Sequence, residues 1–228
     1  NSTFTAEWVT RLWSVPSEVL YPPVRPEVLP GAKTSVIASV GRFFDPKCGH
    51  CKKQLDLLHG FIDLERAGAD GWRLELVGGA DAASRDYALA VKREAVGHAV
   101  SVHFNAPRSL VRDTLATAGI FWHGGGFGED PDLHPERFEH FGIAVVEAMA
   151  AGAVPVVFGA AGPAEIVRHG VDGYHWHTLD ELVSRTRELI ADPARLAAMS
   201  ASAQQRAGEF SGHVFAQRLR LAAAHALR

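Results

Sequence analysis

The chain has 228 residues, 47% of them apolar and 21% charged, with a formal net charge of −3. That length corresponds to about one and a half domains, and so ordinary a globular composition excludes wholesale disorder. The near-neutral balance gives no broad electrostatic reason to expect a nucleic acid or an anionic membrane as partner, and two cysteines exclude a disulfide framework.

The first residue is Asn1 rather than Met, which reads as a processed, trimmed or fragmentary chain. The opening NSTFTAEWVTRLWS lacks the basic head and apolar run of a signal peptide. The longest apolar region, Phe141 to Val167, is broken by Glu147, Pro155 and several glycines, so no transmembrane segment is expected. Cytoplasmic is the default location, with a peripheral membrane position open for a longer protein.

Phe4, Trp8, Val9 and Leu12 recur at helical spacing and predict a helix over 3–13. Pro22 and Pro23 then force an extended segment. TSVIASVG (34–41) reads as a strand buried on both faces, and 52–66 as an amphipathic helix. The alternation goes on: strand 72–79, helix 82–97, strand 101–104, helix 108–118, strand 119–123, helix 141–151, strand 154–158 and a short helix 163–169. Two or three helices over 179–227 complete the chain. Repeated β–α units of this kind predict an α/β fold, a Rossmann-like doubly wound parallel sheet with helices on both faces. Ligands on such sheets bind beyond the carboxyl ends of the strands.

Two segments near those ends carry candidate chemistry. Cys48-Gly49-His50-Cys51 follows the first buried strand, and its spacing resembles the active site of protein disulfide isomerase. A first cysteine of that type needs a helix N-terminus or neighbouring cations to lower its pKa. A dithiol oxidoreductase is therefore an alternative function. The chain is twice the size of such a domain and shows no matching proline segment, which favours two loop cysteines without an obligatory role. One C-x-x-C supplies only two zinc ligands. His175-Trp176-His177 looks like a two-ligand metal pair, but with twelve histidines in the chain it reads as surface or packing. No metal site is expected.

The second segment, RFEHFGIAVVEAMAAGAVPVVFGAAGPAEIV (137–167), sets Glu139 and Glu147 eight residues apart. Glu139 falls in the loop before a helix opening near Phe141, Gly142 and Ile143, whose first amides form an anion site. Eight residues advance about 800°, so the two carboxylates lie near one face. A carboxylate can accept two hydrogen bonds from a vicinal diol.

This block closely resembles the retaining GT-B glycosyltransferases of family-4 type (group 1), with their E-x7-E motif. The resemblance implies one half of a GT-B fold, the C-terminal half that binds the donor. It implies that Glu139 meets donor-sugar hydroxyls and Glu147 the nucleotide ribose, with Phe141, Gly142 and Ile143 beside them. Gly41-Arg42 resembles the start of the family's G-R-x-x-x-x-K-G motif, whose Arg and Lys grip the donor diphosphate. Counting back from Leu57 and Leu58 points to Lys52, with Lys47 and Lys53 as alternatives in a lengthened loop. Ala106 and Arg108 lie where the family contacts the base, and His123 with Gly124 to Gly126 forms a flexible glycine turn facing the cleft.

The domain reading is a junction over 1–24, a nucleotide-sugar-binding domain over 25–210, and a C-terminal helix over 211–228 that packs on the domain or crosses to a missing N-terminal half. The implied partners are a nucleoside-diphosphate sugar and, through that missing half, a glycan, lipid or small-molecule acceptor, with mannose as an analogy-based candidate sugar. No cofactor is expected, because fixed cations can neutralise the diphosphate. A non-catalytic nucleotide-sugar-binding module is a further alternative.

Overall fold

The computed structural model describes residues 1–25 and 30–226, and the side chains of Cys48, His225 and Ala226 fall outside that description. Residues 26–29, 227 and 228, which the sequence-based domains include, lie outside it too.

The elements run in chain order as α1 (Thr3–Trp13), β1 (Thr34–Val40), α2 (Gln54–Arg66), β2 (Arg73–Gly78), α3 (Arg85–Glu94), β3 (Val100–Phe104), α4 (Arg108–Thr117), β4 (Ala118–His123), α5 (Ile143–Ala150), β5 (Val154–Phe158), α6 (Ala161–Ile166), β6 (Tyr174–Trp176), α7 (Leu179–Ala191), α8 (Pro193–Gly208) and α9 (Gly212–Ala226). One-turn 3-10 helices occupy Pro46–Cys48 and Pro135–Arg137.

The six strands form one parallel sheet in the order β3-β2-β1-β4-β5-β6. Ile37 stands at its centre, in register with Leu74 on one side and Ile120 on the other. Successive strand residues face opposite sides, and burial follows that rule. Ile120 and Trp122 join one apolar cluster with Leu57, Phe61 and Leu182, while Phe121 joins the other with Val145 and Met149. Helices therefore cover both faces, as the expected Rossmann-like α/β fold requires. Trp122 carries its one polar atom into the first cluster and donates it to Thr186 Oγ1 at 3.0 Å.

Strand order reverses between β1 and β4, so the chain leaves their carboxyl ends in opposite directions and opens a crevice there. The loops that follow β1 and β4, residues 41–53 and 124–142, are the longest strand-to-helix connections among the described residues, and they leave the strand ends at that crevice.

Several boundaries differ from the sequence expectation. The helix expected from residue 52 begins at Gln54, because Lys53 adopts a left-handed φ of 58°. The helix expected over 141–151 starts at Ile143 behind Gly142, whose φ of 110° suits only glycine. The helix expected over 163–169 spans Ala161–Ile166. The strand β6 was not expected at all: it holds three residues, too few for a period to register, and its Tyr174 and Trp176 are buried. Of the His175–His177 pair, His175 falls on it, with Nε2 2.7 Å from the Val167 carbonyl, and His177 follows it, exposed.

At the α1 end, Glu165 accepts hydrogen bonds from the Thr3 and Phe4 amides at 2.8 and 2.9 Å and from the Tyr21 hydroxyl at 3.0 Å. This carboxylate supplies acceptors for amides that a helix leaves unpaired at its start. No helix among the described residues is long and apolar enough to cross a membrane.

The last residue of β2 lies against the loop that leaves β1. A Cβ on Gly78 would fall 1.8 Å from the Gly41 carbonyl oxygen, whereas one on Gly208 would meet nothing within 4 Å. Gly78→Ala should therefore destabilise by about 1–3 kcal/mol or more, and Gly208→Ala should be neutral or stabilise by up to about 1 kcal/mol. Urea unfolding of the two variants checks the pair.

Candidate functional site

The crevice holds a pocket of about 490 Å³ whose wall includes Gly41, Arg42, Ala106, Arg108 and Glu147. They reach it from different places: the end of β1, the β3–α4 turn, the first residue of α4, and the inside of α5. Residues far apart in the chain thus converge on one cavity. Arg42 is exposed, with its guanidinium 5.6 Å from the centre of the Phe44 ring. Gly78, Gly79, Asn105 and Arg112 line the same pocket. Asn105 holds a left-handed φ of 58°, and its side-chain amide pairs with both backbone groups of Ala80 at 2.8–2.9 Å. That double bond ties the β3 end to the β2 end and shapes the wall on which Ala106 sits.

A second cluster adjoins the pocket. Lys52 Nζ lies 2.5 Å from Glu139 Oε2, and His123 Nε2 lies 3.4 Å from the same oxygen. Burial alone would push the Glu139 carboxyl up, but the His123 hydrogen bond and the Lys52 charge outweigh it and hold the group well below the usual carboxylate range. Pocket and cluster meet at Gly41, since a Cβ there would fall 2.7 Å from Lys52 Cγ. The absence of a side chain lets the Lys52 stem lie directly on the β1 loop.

Lys53, one of the alternatives left open by the sequence, is directed elsewhere. Its Nζ pairs with Glu129 at 2.6 Å, and Arg137 meets the other oxygen of that carboxylate at 2.9 Å. Burial opposes ionisation of Glu129, yet the two cations hold its carboxyl below its usual value. Lys47 is exposed in the 3-10 turn. Of the three lysines, Lys52 is the one joined to Glu139.

Other residues singled out from the sequence need correction. Phe141 is buried against Tyr21 and Phe210, at centroid distances of 5.9 and 5.7 Å, so only its backbone can serve a ligand at the helix mouth. Ile143 is half-exposed there. The glycine turn is packed rather than open: a Cβ on Gly126 would fall 2.6 Å from the Phe138 ring, and one on Gly124 3.3 Å from Lys53 Cβ. The cysteine motif does not stand at the start of an α-helix: Cys48 closes the 3-10 turn, and α2 begins three residues after the buried Cys51. The Cys48 side chain lies outside the described residues. No group of three metal-ligating side chains occurs among the described residues.

Sequence reading missed Glu129, Arg137, Gln54, Tyr87 and Arg112. Arg112 had a usable signal, one helical turn beyond Arg108 and so on the same face. Glu129 and Arg137 lie in an irregular connection without periodic pattern, whereas Gln54 and Tyr87 sit on the buried faces of α2 and α3, where helical spacing does not announce a polar partner.

The crevice of this Rossmann-like α/β domain thus brings basic residues and two separated carboxylates together. The chain belongs to the glycosyl transferases group 1 family, whose model matches residues 24–206. Among curated relatives, it is 28% identical over 234 residues to a GDP-Man:Man(3)GlcNAc(2)-PP-Dol alpha-1,2-mannosyltransferase of Dictyostelium discoideum, covering 92% of this chain and 43% of that protein. Among solved structures, a sucrose-phosphate synthase from Thermosynechococcus elongatus superposes with a TM-score of 0.75 at 18% identity, over 100% of this chain and 57% of that one. Anabaena HepE in complex with UDP and glucose gives 0.64 at 22%, over 84% and 48%. The chain thus spans about half the length of these proteins, or less.

A carboxyl group held low in the folded state contributes stability above its unfolded pKa of about 4.3 and loses it as pH falls through the folded value. Glu139→Gln should therefore cost about 1–3 kcal/mol at pH 7, and the gap from wild type should narrow as pH falls below about 4. Urea titrations at pH 7, 5 and 3.5 measure that gap; a constant difference would contradict the assigned ion pair.

Proposed function

We propose that this chain is the C-terminal, donor-binding half of a retaining glycosyltransferase of GT-B, family-4 type. In this reading it holds a nucleoside-diphosphate hexose, and an N-terminal half supplies the acceptor. The observation that carries the reading is the separation of the two motif glutamates. Glu147 lies in the wall of the 490 Å³ pocket with Arg42, while Glu139 lies beside it in contact with Lys52. One carboxylate is thus placed for a ribose diol and the other for a sugar, with a basic residue near each.

The chemistry follows from where charge develops. As the glycosidic bond breaks, the leaving nucleoside diphosphate gains negative charge. Arg42 and Lys52 are fixed cations for that charge, and a preorganised cation in a partly desolvated cleft stabilises it more than water does. No divalent metal is needed for the role these two residues fill. The first amides of α5, opened by Gly142, add donors that suit an anion. Glu139, kept ionised by His123 and Lys52, accepts hydrogen bonds from sugar hydroxyls. Ala106 and the turn pinned by Asn105 form a backbone wall for the base.

The relatives support a nucleotide-sugar donor without fixing the base, since the names above include both a GDP-mannose enzyme and a UDP complex. Mannose is the sugar this reading favours. The segment 1–24 serves as the junction to the other half, and this chain alone transfers no sugar.

Calorimetric titration with GDP, UDP and ADP in EDTA tests the proposal. One of the three should bind saturably, and Arg42→Ala should weaken it at least about tenfold, the value of a charged hydrogen bond. Glu147→Ala should weaken the bare nucleotide, whereas Glu139→Ala should weaken the sugar nucleotide and not the bare one. Unchanged affinity in Arg42→Ala sinks the diphosphate role.

A further inference from the structure

Beneath the cleft, a chain of buried polar groups runs from α3 to the loop after β1. Cys51 Sγ–H donates to the Tyr87 phenol oxygen at 3.7 Å, and Tyr87 O–H donates to Gln54 Oε1 at 3.4 Å. Gln54 Nε2 then donates to the carbonyls of Gly41 and Arg42 at 3.3 and 3.0 Å. The Leu55 amide adds a donor to the same phenol oxygen at 3.2 Å, and the Lys53 amide donates to Cys51 Sγ at 3.2 Å. The two carbonyls fix the orientation of the Gln54 amide, because only its NH2 end can donate to them. Its other end is then an acceptor, which the Tyr87 hydroxyl satisfies.

All three side chains are buried, and none takes part in the donor contacts described above. Burial pushes the Cys51 thiol and the Tyr87 phenol above their ordinary values. Both stay protonated near neutral pH, so the chain of donors runs one way.

The two ends of this network are the two halves of the diphosphate grip. One end holds the carbonyls of Gly41 and Arg42. The other holds the backbone that carries Lys52, where His50 and Lys53 both adopt left-handed φ values of 52° and 58°. Such backbone is disfavoured for residues with a side chain, so this loop needs contacts from outside itself to keep its shape.

We infer that Gln54, backed by Tyr87 and Cys51, is a positioning residue that sets the separation of Arg42 and Lys52 and so tunes the cleft for a diphosphate. The inference rests on the donor reading above. It also gives Cys51 a task in the cysteine motif that needs no redox chemistry.

Gln54→Met keeps the volume and removes both donations, and Gln54→Glu points a carboxylate at two carbonyls. In both, affinity for the nucleoside diphosphate should fall about tenfold, while the corresponding nucleoside, titrated by NMR, should change less than about twofold. Tyr87→Phe keeps the ring in the core and should cost about threefold in diphosphate affinity alone. Hydrogen exchange should rise in peptides covering 41–53 and stay unchanged in α7 and α8. Equal weakening of both ligands, unchanged diphosphate affinity, or unchanged protection over 41–53 overturns the inference. Wild-type protein that binds no nucleotide overturns the donor reading instead, and exchange over 41–53 then decides whether Gln54 ties the loop.

Discussion

The ion pair between Lys52 and Glu139 joins the two loops on which the crevice depends. Lys52 leaves the connection between β1 and α2, and Glu139 the connection between β4 and α5; these strands are neighbours at the point where strand order reverses. The pair is about three-quarters buried, where a charge needs a close partner to offset its lost hydration. His123 adds a second donor from the end of β4. The crevice walls are thus fixed by the groups to which the donor reading assigns its chemistry.

A second carboxylate repeats the arrangement earlier in the same loop. Glu129 takes Lys53 on one oxygen and Arg137 on the other, so adjacent lysines of one loop reach two different points of the 124–142 connection. Left-handed backbone at Lys53 separates the directions in which the two side chains leave. Phe138, which fills the space under Gly126, also touches Phe4 of α1 at 5.8 Å. The long loop is therefore pinned by charge at its middle and by aromatic packing at its end.

Much of this was legible in the sequence because it rests on local patterns. The continuous apolar run of β1 announced a strand buried on both faces, and the short runs at 119–123 and 154–158 read as strands. The residues Arg42, Ala106, Arg108 and Glu147 were singled out through the family resemblance, and the fold brings them to one pocket. What was not legible depends on long loops. No periodicity distinguishes Lys52 from Lys53; the difference arises from one φ angle. The Glu129–Arg137 contact spans an irregular segment, and β6 is too short for alternation to show. The cysteine motif belongs to the same irregular loop, and α2 starts only after Lys53 has turned the chain.

The same contacts bear on how a donor would enter. Lys52 and Glu139 now satisfy one another, and so do Lys53, Arg137 and Glu129. On the donor reading, a nucleoside-diphosphate sugar brings an anion and a set of hydroxyls together, and these are the complements of an ammonium and a carboxylate. Lys52 can turn toward the phosphate while Glu139 accepts sugar hydroxyls and keeps its His123 bond. Neither charge is then left alone in a partly buried site, where an unpaired ion costs several kcal/mol. A bare phosphate compensates Lys52 and leaves Glu139 short of a donor, whereas a free sugar does the reverse. The pairing seen here therefore favours a ligand that carries both groups, and the favour comes from charge balance across the crevice rather than from the shape of either wall.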